Sequence, residues 1–301
     1  MRLLLIRHGE SVDNVAGLYA GSRDSPLTNH GVLQIKRLGT HLAKRQDAIG
    51  PIKYIFTSNL QRAFQTANAI AEAFANVQSP SSTSVSEVQK LDVSQLPELR
   101  EKDYGSSEGK KYGVKAGSAS GNLAQSDSEA HESMRARINR FLDTHLAPII
   151  DKHVSDDMAV AIVAHGIILG VLLKVLLERF LPRPVTTTSQ NGSRENPPEF
   201  AAWSNTGVLQ AKLELDGGEP IAHDQSKPVP RVSPKDDIRP IDSRKVFRLT
   251  VELTNNIDHL EGLRKTKGGI GSAKFDSRQR TMDSFFSPAS KKRKLEEARE
   301  S

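Results

Sequence analysis

The chain has no cysteine. Disulfides, thiol nucleophiles and thiolate metal sites are therefore excluded. It also lacks a long apolar run. The longest, GIILGVLLKVLLERFL at 166–181, is interrupted by Lys174 and ends in Glu178 and Arg179, so it reads as a buried helix and not as a membrane span. The opening residues, MRLLLIRHGES, hold too short an apolar stretch for a signal peptide and offer no small-residue cleavage site. These absences lead us to expect a soluble intracellular protein with no membrane partner. An excess of either charge is missing as well from most of the chain. Residues 264–301 carry 11 Lys/Arg against 5 Asp/Glu, whereas the other 263 residues carry 31 of each. A fold that bound nucleic acid directly would have its own basic face. Here the net charge of +6 sits in a tail, which points to targeting or a tail-borne interaction.

What is present suits one large domain or two small ones, with 301 residues of which 37% are hydrophobic. RLLLIR (2–7), KYIFTS (53–58) and MAVAIVAHG (158–166) are short apolar runs of the kind that form buried parallel strands. Helical patterns follow them. Pro26 marks a turn, Thr28 is placed as an N-cap, and Ile35, Leu38 and Leu42 recur at helical spacing. LQRAFQTANAIAEAFA (60–75) and ESMRARINRFLDTHLAPII (132–150) read as further helices. TGVLQAKLEL (206–215) and KVFRLTVEL (245–253) alternate as half-buried strands do. Residues 79–86 and 183–202 read as loops, and 216–244 as a disordered excursion. The expectation is an α/β fold, a mostly parallel sheet with helices on both faces. It spans a domain over 1–263 and is followed by a disordered basic tail over 264–301.

Two of the buried strands end in His-Gly: Arg7-His8-Gly9-Glu10 and Ala164-His165-Gly166. Open α/β sheets bind ligands at the carboxyl ends of their strands, so both histidines can share one pocket. The strand at 53–58 delivers Arg62 in the first turn of the next helix, whose free N–H groups also favour an anion. Arginines match phosphoryl oxygens bidentately. A neutral imidazole can attack phosphorus and form a phospho-enzyme. A single His-Gly is mostly structural, and His30-Gly31 at a helix start illustrates this. The combination of the two strand-end histidines with Arg7 and Arg62 is far more specific.

These segments resemble the histidine phosphatase superfamily, the group that includes cofactor-dependent phosphoglycerate mutase. LLIRHGES matches its signature, SPLTNHGVLQ its Pro-Leu-Thr-x-x-Gly helix start, and SNLQRAFQTA its Ser-x-Leu-x-Arg-Ala-x-Gln-Thr-Ala segment. LREKDYGSSEG (99–109), VAHG and NNIDHL (255–260) resemble later blocks. The resemblance runs from residue 2 to about 260 and implies the three-layer, phosphoglycerate mutase-like sandwich. It implies that His8 is the nucleophile that becomes a phosphohistidine. Arg7, Arg62 and His165 would complete the phosphate pocket, with Asn14 as a further contact. Glu101 would be the proton donor, acting with His8 and His165 in catalysis. No cofactor is implied, and the remaining histidines show no metal-ligand spacing. Two departures stand out. Ser107 replaces a tryptophan often found before Glu108-Gly109. The adjacent arginines with which the mutases hold a glycerate carboxylate are missing between Glu101 and His165, which favours hydrolysis over mutase chemistry. The phosphorylated substrate itself is not legible.

Gln279-x-x-Met282-x-x-Phe285-Phe286 has the spacing of the PIP box, the motif that docks on the DNA sliding clamp, PCNA. One short turn would gather Met282 and the two phenylalanines into an apolar plug while Gln279 fills a polar pocket. Lys291, Lys292, Arg293 and Lys294 form a basic run that reads as a nuclear localisation signal for an import receptor. Ser287-Pro288 suits proline-directed phosphorylation. The first reading is thus a nuclear phosphomonoesterase tethered to the clamp. The same fold as a non-catalytic module in a clamp-bound assembly, or as a metabolic mutase, is the alternative. The intact set Arg7, His8, Arg62, Glu101 and His165 speaks against the former, and the missing arginines against the latter.

Overall fold

The structure is a computed structural model and describes residues 1–77, 91–113, 127–180, 203–216, 246–265 and 270–276. The first strand, β1 (Arg2–Arg7), is followed by a short helix α1 (Val12–Ala16), then α2 (Asn29–Lys44) and α3 (Gln46–Ile49). Strand β2 (Ile52–Ser58) leads into α4 (Gln61–Val77), and β3 (Val93–Leu96) into a 3-10 turn at Pro97–Leu99. Helices α5 (His131–Phe141) and α6 (Ala147–His153) precede β4 (Ala159–Ala164) and α7 (Gly166–Phe180). The hairpin partners β5 (Val208–Leu215) and β6 (Phe247–Asn256) complete the sheet.

The strand order is β3-β2-β4-β1-β5-β6. β3, β2, β4 and β1 run parallel, β5 pairs antiparallel with β1, and β6 pairs antiparallel with β5. Successive side chains of a strand point to opposite faces, and the core divides accordingly. Leu3, Leu5, Val160 and Ile162 pack on one face with α5, α6 and α7. Leu4, Ile6, Ala161 and Val163 pack on the other with α2 and α4. β4, and β1 between its terminal arginines, are apolar at every position because both faces are covered, which is why they carry no alternation in the sequence. The expected three-layer α/β sandwich is the observed one. Among the described residues no helix is long and apolar enough to cross a membrane. α7 instead buries Ile168, Leu169, Leu172, Val175 and Leu176 against the sheet.

Local chemistry explains the boundaries. The Thr28 side chain accepts from the Gly31 N–H and caps α2, as its position predicts. Gly31 also lets the chain pass close, since a Cβ there would sit 2.1 Å from the Glu10 carbonyl oxygen. The single helix expected over 132–150 is instead broken by a π turn at Leu142–Leu146. Pro148 has no N–H to donate to the preceding turn, and its ring crowds the carbonyl four residues back. Described residues beyond 263 also touch the domain. Lys265 pairs with Glu10 at 2.8 Å, and the Ala273 carbonyl accepts from Asn29 N at 3.0 Å. The latter satisfies one of the free N–H groups that begin α2. Residues 79–86, 183–202, most of 216–244 and the tail motifs at 279–286 and 291–294 lie outside the described residues.

Candidate active site

β1 and β4 are hydrogen-bonded neighbours, with Arg7 opposite Ala164. Their carboxyl ends therefore deliver His8 and His165 side by side. The ring centroids are 4.9 Å apart, with planes inclined at 60°. Both imidazoles are buried. His8 Nδ1 lies 2.7 Å from the carbonyl oxygen of Gly9. A carbonyl only accepts, so this bond places the proton on Nδ1 and leaves a lone pair on Nε2. Arg62 Nε donates to that Nε2 at 3.3 Å.

Arg62 is 1% exposed although it carries a charge. Its fork is held by main-chain acceptors, with Nη1 on the Arg23 carbonyl at 2.6 Å and Nη2 on the Gly21 carbonyl at 2.8 Å. That loop is fixed in turn. The Glu108 carboxylate accepts from Ser22 N at 2.6 Å and from Ser22 Oγ at 3.1 Å. Gly21 has φ +50, and a Cβ there would fall 2.2 Å from Glu108 Oε1, so only glycine fits. The Glu108-Gly109 pair thus acts on Arg62 through this loop.

Arg7 donates through Nη1 to the Trp203 carbonyl. Among the described residues, Arg7 Nε and both ring nitrogens of His165 are buried without a hydrogen-bond partner. Burial, and then the charges of Arg62 and Arg7, push His8 well below the usual histidine value. Burial and Arg62 do the same to His165. Burial lowers Arg62 to about 10, against the opposing pull of Glu101, and it stays a cation at neutral pH. Two fixed positive charges therefore face two neutral imidazoles.

Glu101 joins this group from the segment after β3. Its Oε1 accepts from Lys102 N at 2.9 Å and from Ile168 N at 3.2 Å, and its Oε2 accepts from Ile167 N at 3.2 Å. The last two donors belong to the first turn of α7, directly after His165. Three of the roughly four lone-pair positions of a carboxylate are then used, and one remains. A cleft of about 500 Å³ opens on this side, bordered by Glu101, Ser22, Arg100 and Arg137. Asn14 sits one layer back. Its Oδ1 accepts from Asn205 Nδ2 at 3.0 Å, and the same amide donates to the His8 carbonyl at 3.1 Å.

The structure thus brings together His8, His165, Arg7, Arg62 and Glu101, and ties Asn14 to them through Asn205. Sequence reasoning missed Asn205, Thr206 and Trp203. Thr206 N donates to the carbonyls of both Arg7 and His8, at 3.0 and 3.2 Å. Its φ of +58 is unusual for a β-branched residue. No local signal marks any of the three. A tyrosine cluster was missed too. Tyr19 lies 4.6 Å from both Tyr104 and Tyr112, ring centre to ring centre. Burial, and next Glu101, raise Tyr104 to about 12.

Paired strand-end imidazoles flanked by the buried Arg62 and the half-buried Arg7 mark a phosphoryl-handling class of α/β protein. The sequence comparisons narrow this class. The profile of the histidine phosphatase superfamily (branch 1) matches residues 3–195, and the chain belongs to that family. A probable phosphatase of Schizosaccharomyces pombe is 25% identical over 287 residues, covering 94% of this chain and 79% of its own. A probable phosphoglycerate mutase of Proteus mirabilis is 31% identical over 193 residues, covering 59% of this chain and 75% of its own. Among solved structures, a mycobacterial hydrolase superposes with a TM-score of 0.55 at 20% identity, covering 85% of this chain and 98% of that one. That last likeness is one of fold.

Proposed function

We propose that the protein is a phosphomonoesterase that works through a phosphohistidine on His8. The observation that carries this reading is the bond from His8 Nδ1 to the Gly9 carbonyl, which leaves Nε2 unprotonated and turned towards Arg62, beside His165. The Nε2 lone pair attacks phosphorus, the ester P–O bond breaks, and Glu101 protonates the departing oxygen. Water then attacks the phosphohistidine and gives its proton to Glu101, and the P–N electron pair returns to Nε2. Arg7, Arg62 and the His165 ring supply donors to the equatorial oxygens, and a phosphoryl group gives the unpaired Arg7 Nε an acceptor. The Asn14 carbonyl oxygen is already engaged, so its amide N–H2 is the group left for a phosphate contact. Hydrolysis is preferred to mutase chemistry because no adjacent arginine pair stands between Glu101 and His165 to hold a second anionic group.

The test is a chemical trap. Rapid quenching during turnover should yield acid-labile, base-stable phosphate on His8, and its absence under saturating substrate refutes the reading. Glu101→Gln should separate two kinds of ester. Alkyl phosphates, whose leaving oxygen needs a proton, should slow by about 10²–10³-fold. Nitrophenyl phosphate, whose leaving group departs as an anion, should slow by less than about ten-fold. Equal slowing of both removes Glu101 as the acid.

The tail extends the proposal to a place in the cell. Gln279, Met282, Phe285 and Phe286 would dock the enzyme on the DNA sliding clamp, and Lys291–Lys294 would direct it to the nucleus. What supports this is the motif spacing in a segment of opposite character to the charge-balanced fold. A synthetic peptide over 277–294 should bind the clamp with affinity on the order of micromolar, because ordering a free segment has an entropic cost. Replacing both Phe285 and Phe286 by Ala should remove most of that binding and leave turnover unchanged. Calorimetry that detects no heat with the wild-type peptide up to the millimolar range discards the clamp.

A further inference from the structure

The segment that carries Glu101 has little regular structure of its own. After the 3-10 turn at Pro97–Leu99, residues 100–104 belong to neither helix nor strand. Leu99 anchors it in the core below. From the side, its carbonyls at 98, 100 and 101 are held by Arg137 of α5. Arg137 Nη1 donates to the carbonyls of Glu98 and Arg100, both at 2.6 Å, and Nη2 to the carbonyl of Glu101 at 3.3 Å. The other edge of the guanidinium meets Glu129 as a two-point pair, Nε to Oε1 at 2.8 Å and Nη2 to Oε2 at 3.0 Å. The two side chains are only 13% and 14% exposed. Burial pushes the Glu129 carboxyl up, but the bonds and charge of Arg137 outweigh it and the net shift is down.

Glu129 also reaches the same segment by itself. Its N–H donates to the Asp103 carbonyl at 2.7 Å, and its Oε2 accepts from Asp103 N at 3.3 Å. α5 is a stiff support for this arrangement, since Met134, Ile138 and Phe141 fix its inner face in the core. The planar fork is what the geometry uses. One lysine ammonium cannot span three carbonyls and a carboxylate at once. Because Glu129 balances its charge, Arg137 acts by placing the chain more than by its field.

We propose that the Arg137–Glu129 pair is the positioning device of the general acid. It holds the main chain of 98–101 so that the protonated Glu101 carboxyl group meets the leaving oxygen. The inference rests on Glu101 being the acid, and the experiment separates the two. Turnover of an alkyl phosphate and of nitrophenyl phosphate is compared in the full-length wild type, in Arg137→Lys, Arg137→Ala and Glu101→Gln. In both Arg137 variants kcat for the alkyl ester should fall about a hundred-fold, the order expected when a reacting group is displaced by an ångström or so. Nitrophenyl phosphate should change less than about ten-fold, because its departure needs little proton donation. Adding free guanidinium at non-denaturing concentration should restore part of the alkyl-ester rate in Arg137→Ala. A merely structural role would depress both esters alike and would show no such rescue. Equal slowing, or no slowing, in the Arg137 variants while Glu101→Gln still separates the esters overturns the inference alone. If Glu101→Gln fails to separate them, the acid assignment falls and this inference with it. Should Arg137→Ala not fold, Arg137→Lys decides the matter, since it keeps the charge and loses only the fork.

Discussion

His8→Ala is expected to reduce turnover by on the order of a million-fold, the scale seen when a covalent nucleophile is removed. The substitution deletes the Nε2 lone pair that the Gly9 carbonyl exposes and removes the partner of Arg62 Nε. His165 lies beside it, but its ring is inclined at 60° to that of His8 and makes no hydrogen bond among the described residues that would fix its tautomer. It is not prepared to take over. The same site predicts an unusual acid limb. A histidine is half-protonated near 6.5 in water, and burial together with Arg62 and Arg7 lowers His8 well below that value. As pH falls through 6.5 the nucleophile therefore stays neutral. After correction for substrate ionisation, kcat/KM should hold through this range and decline only at lower pH. A full-activity His8→Ala protein ends the nucleophile assignment. A limb at the ordinary histidine value ends the account of its environment.

Arg62→Ala carries the next largest effect. In the proposed mechanism the guanidinium stabilises charge that develops on the phosphoryl oxygens, and loss of one such donor costs about 10²–10³-fold in kcat. Arg62→Lys should recover little of this. A lysine cannot reach the Gly21 and Arg23 carbonyls and the phosphoryl group together, and two buried acceptors would be left unpaired at about 1–3 kcal/mol each. Single-turnover kinetics should locate the loss in formation of the phosphohistidine. A variant with unchanged kcat and only a raised KM would show that Arg62 binds ground state and transition state equally, contrary to its proposed role.

The parts of this site that were legible share one property. Arg7-His8-Gly9, Arg62 and His165 lie at or just after the ends of apolar runs, so a local pattern places each at the same edge of a parallel sheet. Thr28 could be read as a cap for the same reason, because capping is decided within four residues. Glu101 was singled out through the resemblance of LREKDYGSSEG to a family block, and not through any local structure. β3 and α1 were missed. β3 reads VSQL, with polar residues at its centre, and becomes a strand only because the β2 edge offers unpaired backbone groups. α1 is a single turn held by the reciprocal bonds of Ser11 and Asn14.

By itself the sequence determined that the protein is an α/β sandwich, that two of its strands end in His-Gly, and that the tail differs from the fold in charge. Hydrophobic runs, caps and strand-end motifs are short-range features, and one chain displays them in order. The tertiary structure alone decided how those ends are joined. The order β3-β2-β4-β1 sets His8 against His165 across 157 residues of chain, and the segment leading into β5 brings Asn205 and Thr206 to the backbone of Arg7 and His8. Arg137 meets the carbonyls of Glu98, Arg100 and Glu101 only because α5 packs beside that segment. In α5 it is one exposed-looking arginine among charged neighbours. Contacts of this kind depend on which surfaces meet after folding, and no spacing along the chain encodes them.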